Sequence, residues 1–177
     1  MNSGAKPELF RVPGPNANYP DGAGVLAWDA VPVGSQQVVR VRLLSSSDTR
    51  GAIGVQLAVY SDGGEVSCGD RRGSRLWLWW DSGSSLAGFE GVAQLPHSLV
   101  GSDFLCRIEA PDGVLTISAV MWEPPSGGNP GAVWNGKSFS GLMREEQGAS
   151  LVYRSNRFGR DEPFDKLVFS VELMGGA

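Results

Sequence analysis

The sequence is poor in the side chains from which most metal and redox sites are built. It has one histidine, His97, and two cysteines, Cys68 and Cys106, which do not form a C-x-x-C motif. A single histidine excludes a His-rich metal site, and the wide cysteine spacing indicates neither a zinc site nor a redox motif. A serine triad would depend on the loop residue His97, and no G-x-S-x-G motif accompanies it. We therefore expect no metal, no cofactor and no enzymatic activity.

The two cysteines leave two alternatives open. The first residues, "MNSGAKPELF", lack the basic and then apolar layout of a signal peptide, and disulfides are less common in chains without such a signal. Two unpaired thiols packed within strands are therefore the preferred prediction. A single disulfide between Cys68 and Cys106 is the alternative.

Long apolar runs and an excess of basic residues are also missing. No run approaches the roughly 20 apolar residues that a membrane-spanning helix needs. The chain has 15 Lys and Arg against 19 Asp and Glu, for a net charge of −4. Proteins that bind nucleic acid usually carry a basic tail or stripe, whereas the first 20 residues have only Lys6 and Arg11 as cations. We expect neither a membrane span nor a nucleic-acid partner.

Glycine and proline, in contrast, are abundant, with 25 and 11 residues among 177. Without a repeat, they indicate many tight turns and therefore many short strands. Residues 1–24, with four prolines, are predicted to form an extended arm or linker. Beyond them, apolar and polar residues alternate as in half-buried antiparallel strands. The predicted strands span 25–31, 37–44, 52–60, 75–81, 88–94, 104–109, 114–122, 150–154 and 166–174.

Eight or nine short strands without helical crossovers predict one all-β domain over residues 25–177. Asp-Gly turns in "SDGGE" (61–65) and "APDGV" (110–114) favour short hairpins. An antiparallel β-sandwich or jelly roll is the architecture that buries such strands. One exception is "SFSGLMREEQG" (138–148), where Ser140 is a candidate N-cap and a glycine a candidate stop. This segment is predicted to form one or two helical turns.

The stretch "RLWLWWD" (75–81) is the most informative candidate site. Strand alternation gives it one apolar face, formed by Leu76, Leu78 and Trp80. The other face mixes indoles with charges, in Arg75, Trp77, Trp79 and Asp81. One interpretation is that Trp77 and Trp79 cover a second hydrophobic layer or lie under the N-terminal arm. The other is a recognition surface that stacks on sugars or anchors a protein partner.

Clustered arginines form a second candidate site. Arg71, Arg72 and Arg75 precede the tryptophans, and Arg154, Arg157 and Arg160 follow one another in "YRSNRFGRDEPFD". Arginine forks bind sulfate, carboxylate or phosphate groups, although ordinary surface ion pairs would give the same pattern. The candidate ligand or interface residues are Arg72, Arg75, Trp77, Trp79, Trp134, Arg157 and Arg160.

Carboxylates provide two weaker candidates. An oxygen-ligand calcium site would need convergence of Asp62, Glu65 and Asp70, or of Asp161, Glu162 and Asp165, and neither set has an established loop spacing. A β-sandwich glycosidase would need two carboxylates facing each other across a cleft. Its candidates are the strand residues Glu109, Glu172 and Glu123.

In general features, the chain resembles the surface projection domains of small RNA-virus coat proteins. The features are the segment "VPGPNANYPDGAG", the loop-rich "EPPSGGNPGAVWNGKSFSG" and the closing strand "KLVFSVELMGGA". The lack of a basic arm departs from coat-protein shell domains that package RNA and fits a projection domain.

This resemblance implies a non-enzymatic jelly-roll domain on the virion surface that forms a homodimer or homotrimer and attaches to a host receptor or glycan. A carbohydrate-binding module or lectin is the second hypothesis, and a jelly-roll glycoside hydrolase is the third. A glycan array, a hydrolysis screen and a measurement of oligomeric mass distinguish them.

Overall fold

The computed structural model describes residues 10, 12–16, 19, 24–47, 52–80, 95–123, 127–128, 132–135, 141–156 and 164–175. This part of the chain contains fourteen strands and almost no helix. They are β1 (Gly14–Pro15), β2 (Leu26–Pro32), β3 (Gln36–Ser45), β4 (Ala52–Ala58), β5 (Glu65–Cys68), β6 (Arg71–Gly73), β7 (Arg75–Trp80), β8 (Ser98–Gly101), β9 (Asp103–Glu109), β10 (Val114–Glu123), β11 (Ala132–Asn135), β12 (Leu142–Gln147), β13 (Ser150–Ser155) and β14 (Leu167–Met174).

The strands form one continuous sheet that curls into a nearly closed, barrel-like shape. Its order is β6-β5-β9-β3-β14-β13-β12-β2-β10-β4-β7-β8, while β1 pairs with β2 and β11 with β10. The sheet has two halves, the first running from β6 to β12 in this order and the second from β10 to β8. Strand β2 joins them because its start pairs with β12 and its end with β10. Only β7 and β8 run parallel among these described pairs. The predicted all-β class is confirmed, with more strands than the eight or nine expected.

Eight of the nine predicted strands coincide with observed ones, namely β2, β3, β4, β7, β9, β10, β13 and β14. The ninth, 88–94, lies outside the described residues. The helical prediction within 138–148 is wrong over Leu142–Gln147, which is β12. A turn with Gly148 at φ 62° returns the chain into β13, and the two strands pair from Leu142↔Ser155 to Gln147↔Ser150. Cross-strand hydrogen bonding here overrides helix propensity, which is only a weak preference.

The main hydrophobic core lies between the two halves of the curled sheet. Valines and aromatic residues of β3, β9, β13 and β14 meet branched aliphatic residues of β4, β7 and β10. Tyr153 and Phe169, for example, stack with ring centroids 4.9 Å apart. The period-two pattern that predicted these strands therefore points one face of each toward a shared core.

Residues of the predicted N-terminal arm pack on the outer face of the second half. Phe10 is buried and stacks on Tyr60, with ring centroids 4.2 Å apart. The Thr116 hydroxyl donates a hydrogen bond to the Phe10 carbonyl oxygen, and the Trp28 indole nitrogen donates one to the Val12 carbonyl. Every residue of β4 is buried as a result of cover on both faces. The described arm residues thus belong to the packed structure.

Candidate binding surface

The tryptophans of β7 divide between two environments. Trp79 is fully buried and donates an indole hydrogen bond to the Ser98 hydroxyl at 3.0 Å. Of the two interpretations, a recognition surface and a second hydrophobic layer, burial of Trp79 agrees with the second for this residue. Trp79 packs with Ala52, Val120 and Trp122 on the outer face of the sheet. Leu95 and Val100, just before and in β8, pack against this outer cluster.

Trp77 remains half-buried at the margin of this outer cluster. Its ring centroid lies 6.3 Å from that of Trp79, in a tilted arrangement. The Trp77 indole nitrogen donates to the side-chain oxygen of Gln56 at 2.9 Å. The guanidinium of the exposed Arg75 lies over the ring, 5.2 Å from its centroid. Trp77 is therefore an oriented ring with a cation over one face.

Tyr60 extends this polar and aromatic arrangement toward the docked Phe10. Burial raises the pKa of the Tyr60 hydroxyl, while the charge of Arg75 and a hydrogen bond with Gln56 oppose that shift. Tyr60 is consequently a neutral phenol with a hydroxyl that can donate or accept a hydrogen bond. Gln56 thus contacts both half-buried rings.

His97 contacts both β6 and β7 and is the next member of this group of residues. It has a positive φ of 60°, which is uncommon for a residue other than glycine. Its ring nitrogen Nδ1 lies 3.2 Å from the Arg72 carbonyl oxygen, and its own carbonyl accepts a hydrogen bond from the Trp77 backbone N–H. A side chain on Gly73 would contact the imidazole ring. The loop is therefore fixed against β6 and β7.

These residues define the surface that we call the Arg75–Trp77 surface. Within the described part of the chain, neither Arg72 nor Arg75 forms an ion pair with a carboxylate. Both side chains are exposed to solvent. The members of the surface are Gln56, Tyr60, Arg72, Arg75, Trp77 and His97.

The Arg75–Trp77 surface brings together three of the seven predicted candidates: Arg72, Arg75 and Trp77. Trp134 lies on β11, and its backbone pairs with Met121 of β10. Met121 is three residues along β10 from Ser118, which is in register with Gln56 and Trp77. Arg157 and Arg160 lie outside the described residues. Sequence reasoning missed Gln56 and Tyr60 because alternation placed them on a solvent-facing strand side. It treated His97 as an ordinary loop residue, and its backbone conformation has no clear sequence signal.

The predicted glycosidase carboxylates are not brought together. Strand β3 lies between β9 and β14, with Glu109 in register with Gln36 and Glu172 with Arg40. Four residues along β3 and two strand spacings separate the Glu109 and Glu172 α-carbons by about 16 Å. Carboxyl groups of glycosidases are usually at most about 9.5 Å apart. The side chain of Glu123 lies outside the described residues.

A shallow pocket beside Glu109 has a volume of about 190 Å³ and is lined in part by Gln36, Gln37 and Arg107. Small-molecule sites commonly measure about 300–1,000 Å³. This pocket is therefore small for an organic ligand.

The structure describes all three residues of the first acidic calcium candidate. Asp62, Glu65 and Asp70 do not converge, since no group of three metal-ligating side chains occurs among the residues that the structure describes. Asp161 and Glu162 of the second set lie outside those residues.

Within the same described ranges, no helix is long and apolar enough to cross a membrane.

A separate polar group is buried where the two halves of the sheet join. Asp29 of β2 is fully buried, and its Oδ2 accepts hydrogen bonds from the Tyr153 hydroxyl at 2.8 Å and from Arg144 at 3.1 Å. Its Oδ1 accepts a hydrogen bond from the Ala30 backbone N–H. Burial raises the pKa of Tyr153, which keeps the phenol protonated as a donor. With both carboxylate oxygens occupied, Asp29 links strands and is not free to contact a ligand.

Comparison with known proteins identifies no relative, because no family model, curated protein or solved structure matches the chain. The geometry of the Arg75–Trp77 surface therefore carries the functional argument.

Proposed function

We propose that the protein is a non-enzymatic attachment domain that binds glycans through the Arg75–Trp77 surface. The observation that carries this proposal is the Arg75 guanidinium positioned over the half-buried Trp77 ring, 5.2 Å from its centroid. Indole faces stack on the apolar faces of sugars, while a guanidinium forms forked hydrogen bonds with carboxylate or sulfate groups. The pair offers both kinds of contact at one position.

Neighbouring side chains supply the remaining polar contacts. The Tyr60 hydroxyl, which shares Gln56 with Trp77, and the exposed side chains of Arg72 and His97 beside β7 supply donors and acceptors for sugar hydroxyls. Gln56 holds the Trp77 indole through a 2.9 Å hydrogen bond, so the ring needs little ordering on binding. In the proposed complex, Arg75 moves from the ring face to the edge of the sugar and the sugar takes its place.

The oligomeric state and the location of the domain form part of the same proposal. We propose a homodimeric or homotrimeric domain on a virion surface, which attaches to a host receptor or glycan, as expected from the resemblance to capsid projection domains. The jelly-roll interpretation of the curled sheet belongs with it and is supported by the core shared between the two halves. A free-standing lectin would use the same surface, and a monomeric mass in solution would favour it.

The test is binding of the purified protein to an array of neutral, sialylated and sulfated glycans, followed by titration of the hits. We expect Trp77→Ala and Arg75→Ala each to weaken binding by about tenfold or more, since one lost stacking or charge-assisted contact contributes about 1–3 kcal/mol. Arg42→Ala is the matched control because Arg42 is an exposed arginine of β3, three strands away from β6 in the sheet. Unchanged affinity in both surface variants, or an equal loss in the control, would contradict the proposed site. Release of free sugar from a hit would contradict the non-enzymatic assignment.

A further inference from the structure

Cys68 and Cys106 are direct cross-strand neighbours, although 37 residues separate them in the sequence. They pair in register between β5 and β9. Both are buried, and both are free thiols. Directly opposed residues of antiparallel strands have α-carbons about 4.5 or 5.5 Å apart, and both distances lie within the range that disulfides span. The strand register therefore places the two thiols where a bond between them needs little backbone movement.

The two thiols are also electrostatically unequal. A hydrogen bond from Cys106 lowers the pKa of Cys68, which favours the thiolate at Cys68. The hydrogen bond to Cys68 and burial raise the pKa of Cys106. The thiolate is the nucleophile in thiol–disulfide exchange. Cys68 also lies on β5, nearer the edge of the sheet than Cys106 on β9, so position and charge together make Cys68 the attacking residue and Cys106 the one that resolves the intermediate.

The position of Cys68 gives a small molecule a route to its sulfur. Cys68 is the last residue of β5, next to a turn with Gly69 at φ 57°. Strands β5 and β6 are a short hairpin at the edge of the sheet, and β6 has only three residues. Short edge elements open locally at lower free energy than central strands. Local opening of this hairpin would expose Cys68 without breaking the pairing of β9 with β3.

We propose that Cys68 and Cys106 are a reversible modification site that reacts with low-molecular-weight disulfides. The Cys68 thiolate attacks one sulfur of the small disulfide, forms a mixed disulfide and releases one small thiolate. The Cys106 thiol then loses its proton and attacks the Cys68 sulfur, which forms the Cys68–Cys106 disulfide and releases the second small thiol. The protein loses two protons and two electrons, and the small disulfide takes them up and is reduced to two thiols. This inference is independent of the proposed function.

The experiment uses the full chain, reduced and then incubated with oxidised glutathione at neutral pH. Samples are quenched with acid, alkylated under denaturing conditions and weighed by intact-mass spectrometry, while tryptophan fluorescence monitors the folded state. We expect wild type to change from two alkylated cysteines to none, without a retained adduct, while it remains folded and free of intermolecular disulfides. Two alkylated cysteines after oxidation, two retained adducts, intermolecular linkage or reaction only in unfolded protein would each overturn the proposal.

Single variants test the assigned order of attack. Cys106→Ser keeps a hydroxyl that can donate to Cys68, and we expect it to accumulate one glutathione adduct at Cys68. Cys68→Ser should form an adduct at Cys106 at least about tenfold more slowly, because that thiol is more deeply buried and less ionised. Equal rates in the two variants would overturn the assignment of Cys68 as the attacking thiol.

Discussion

The Tyr153 hydroxyl donates a 2.8 Å hydrogen bond to the buried Asp29 carboxylate and so connects β13 to the strand shared by both halves of the sheet. Asp29→Ala should reduce the free energy of unfolding by about 3–5 kcal/mol, because it leaves the buried phenol and the Arg144 guanidinium without their acceptor. Tyr153→Phe should cost less, about 1–3 kcal/mol, since the Arg144 contact remains. Urea denaturation of each variant measures both values.

The exposed Glu146→Ala is a suitable comparison, because Glu146 contacts the same Arg144 at the surface. Its effect should stay below about 1 kcal/mol. An equal loss in Asp29→Ala and Glu146→Ala would show that the buried network does not stabilise the junction.

The stabilities of alanine variants of Trp77 and Trp79 in β7 should distinguish the core tryptophan from the surface tryptophan. Trp79→Ala should cost about 3–5 kcal/mol, as expected for a buried large aromatic residue. Trp77→Ala should cost clearly less, because Trp77 is half-exposed and forms its indole hydrogen bond at the margin of the cluster. Chemical denaturation monitored by far-ultraviolet circular dichroism compares the variants without relying on tryptophan signal. Equal destabilisation would show that Trp77 is as much a core residue as Trp79.

Gly54 lies where β4 and β7 approach each other too closely for a side chain. A β-carbon at this position would overlap the Leu78 carbonyl oxygen, which is backbone and cannot rotate away. Gly54→Ala should therefore destabilise the fold by about 1–3 kcal/mol or more through overpacking. Gly175→Ala is the control, because nothing lies within 4 Å of its β-carbon position. Thermal denaturation of both variants provides the test, and similar midpoints would refute the steric argument.

The Arg40–Asp103 pair predicts a dependence of stability on pH. A hydrogen bond from Arg40 lowers the pKa of Asp103 in the folded protein below its ordinary value. A carboxyl group with a lowered folded-state pKa stabilises the fold above its unfolded-state pKa, near 4, and loses that contribution as the pH falls through the folded value. Asp103→Asn should therefore be less stable than wild type at pH 6, and the difference should shrink below about pH 4.

Exposure limits the size of this effect, because 47% of the Asp103 side chain is accessible to solvent. Urea denaturation at a series of pH values measures it. A difference between wild type and Asp103→Asn that stays constant from pH 6 to pH 2 would contradict the assignment.

The candidate site shows where sequence patterns reach their limit. Alternation correctly placed Leu76 and Leu78 in the core, and Arg75 and Trp77 on the opposite face. It could not distinguish Trp77 from Trp79 on that face, since the cover over each ring comes from distant segments. It also could not anticipate that a loop histidine would bond to Arg72, because that contact joins residues 25 positions apart.

The sequence by itself determined the all-β class and most of the strands, because strand periodicity and turn chemistry are local properties of a few adjacent residues. Tertiary structure decided that Leu142–Gln147 pairs as β12, that Trp79 is buried and that Cys68 lies opposite Cys106. Each of these depends on which strand becomes a neighbour and on the register of the pairing. Register is selected by the burial of the whole sheet, and a shift of one residue would turn every side chain to the other face.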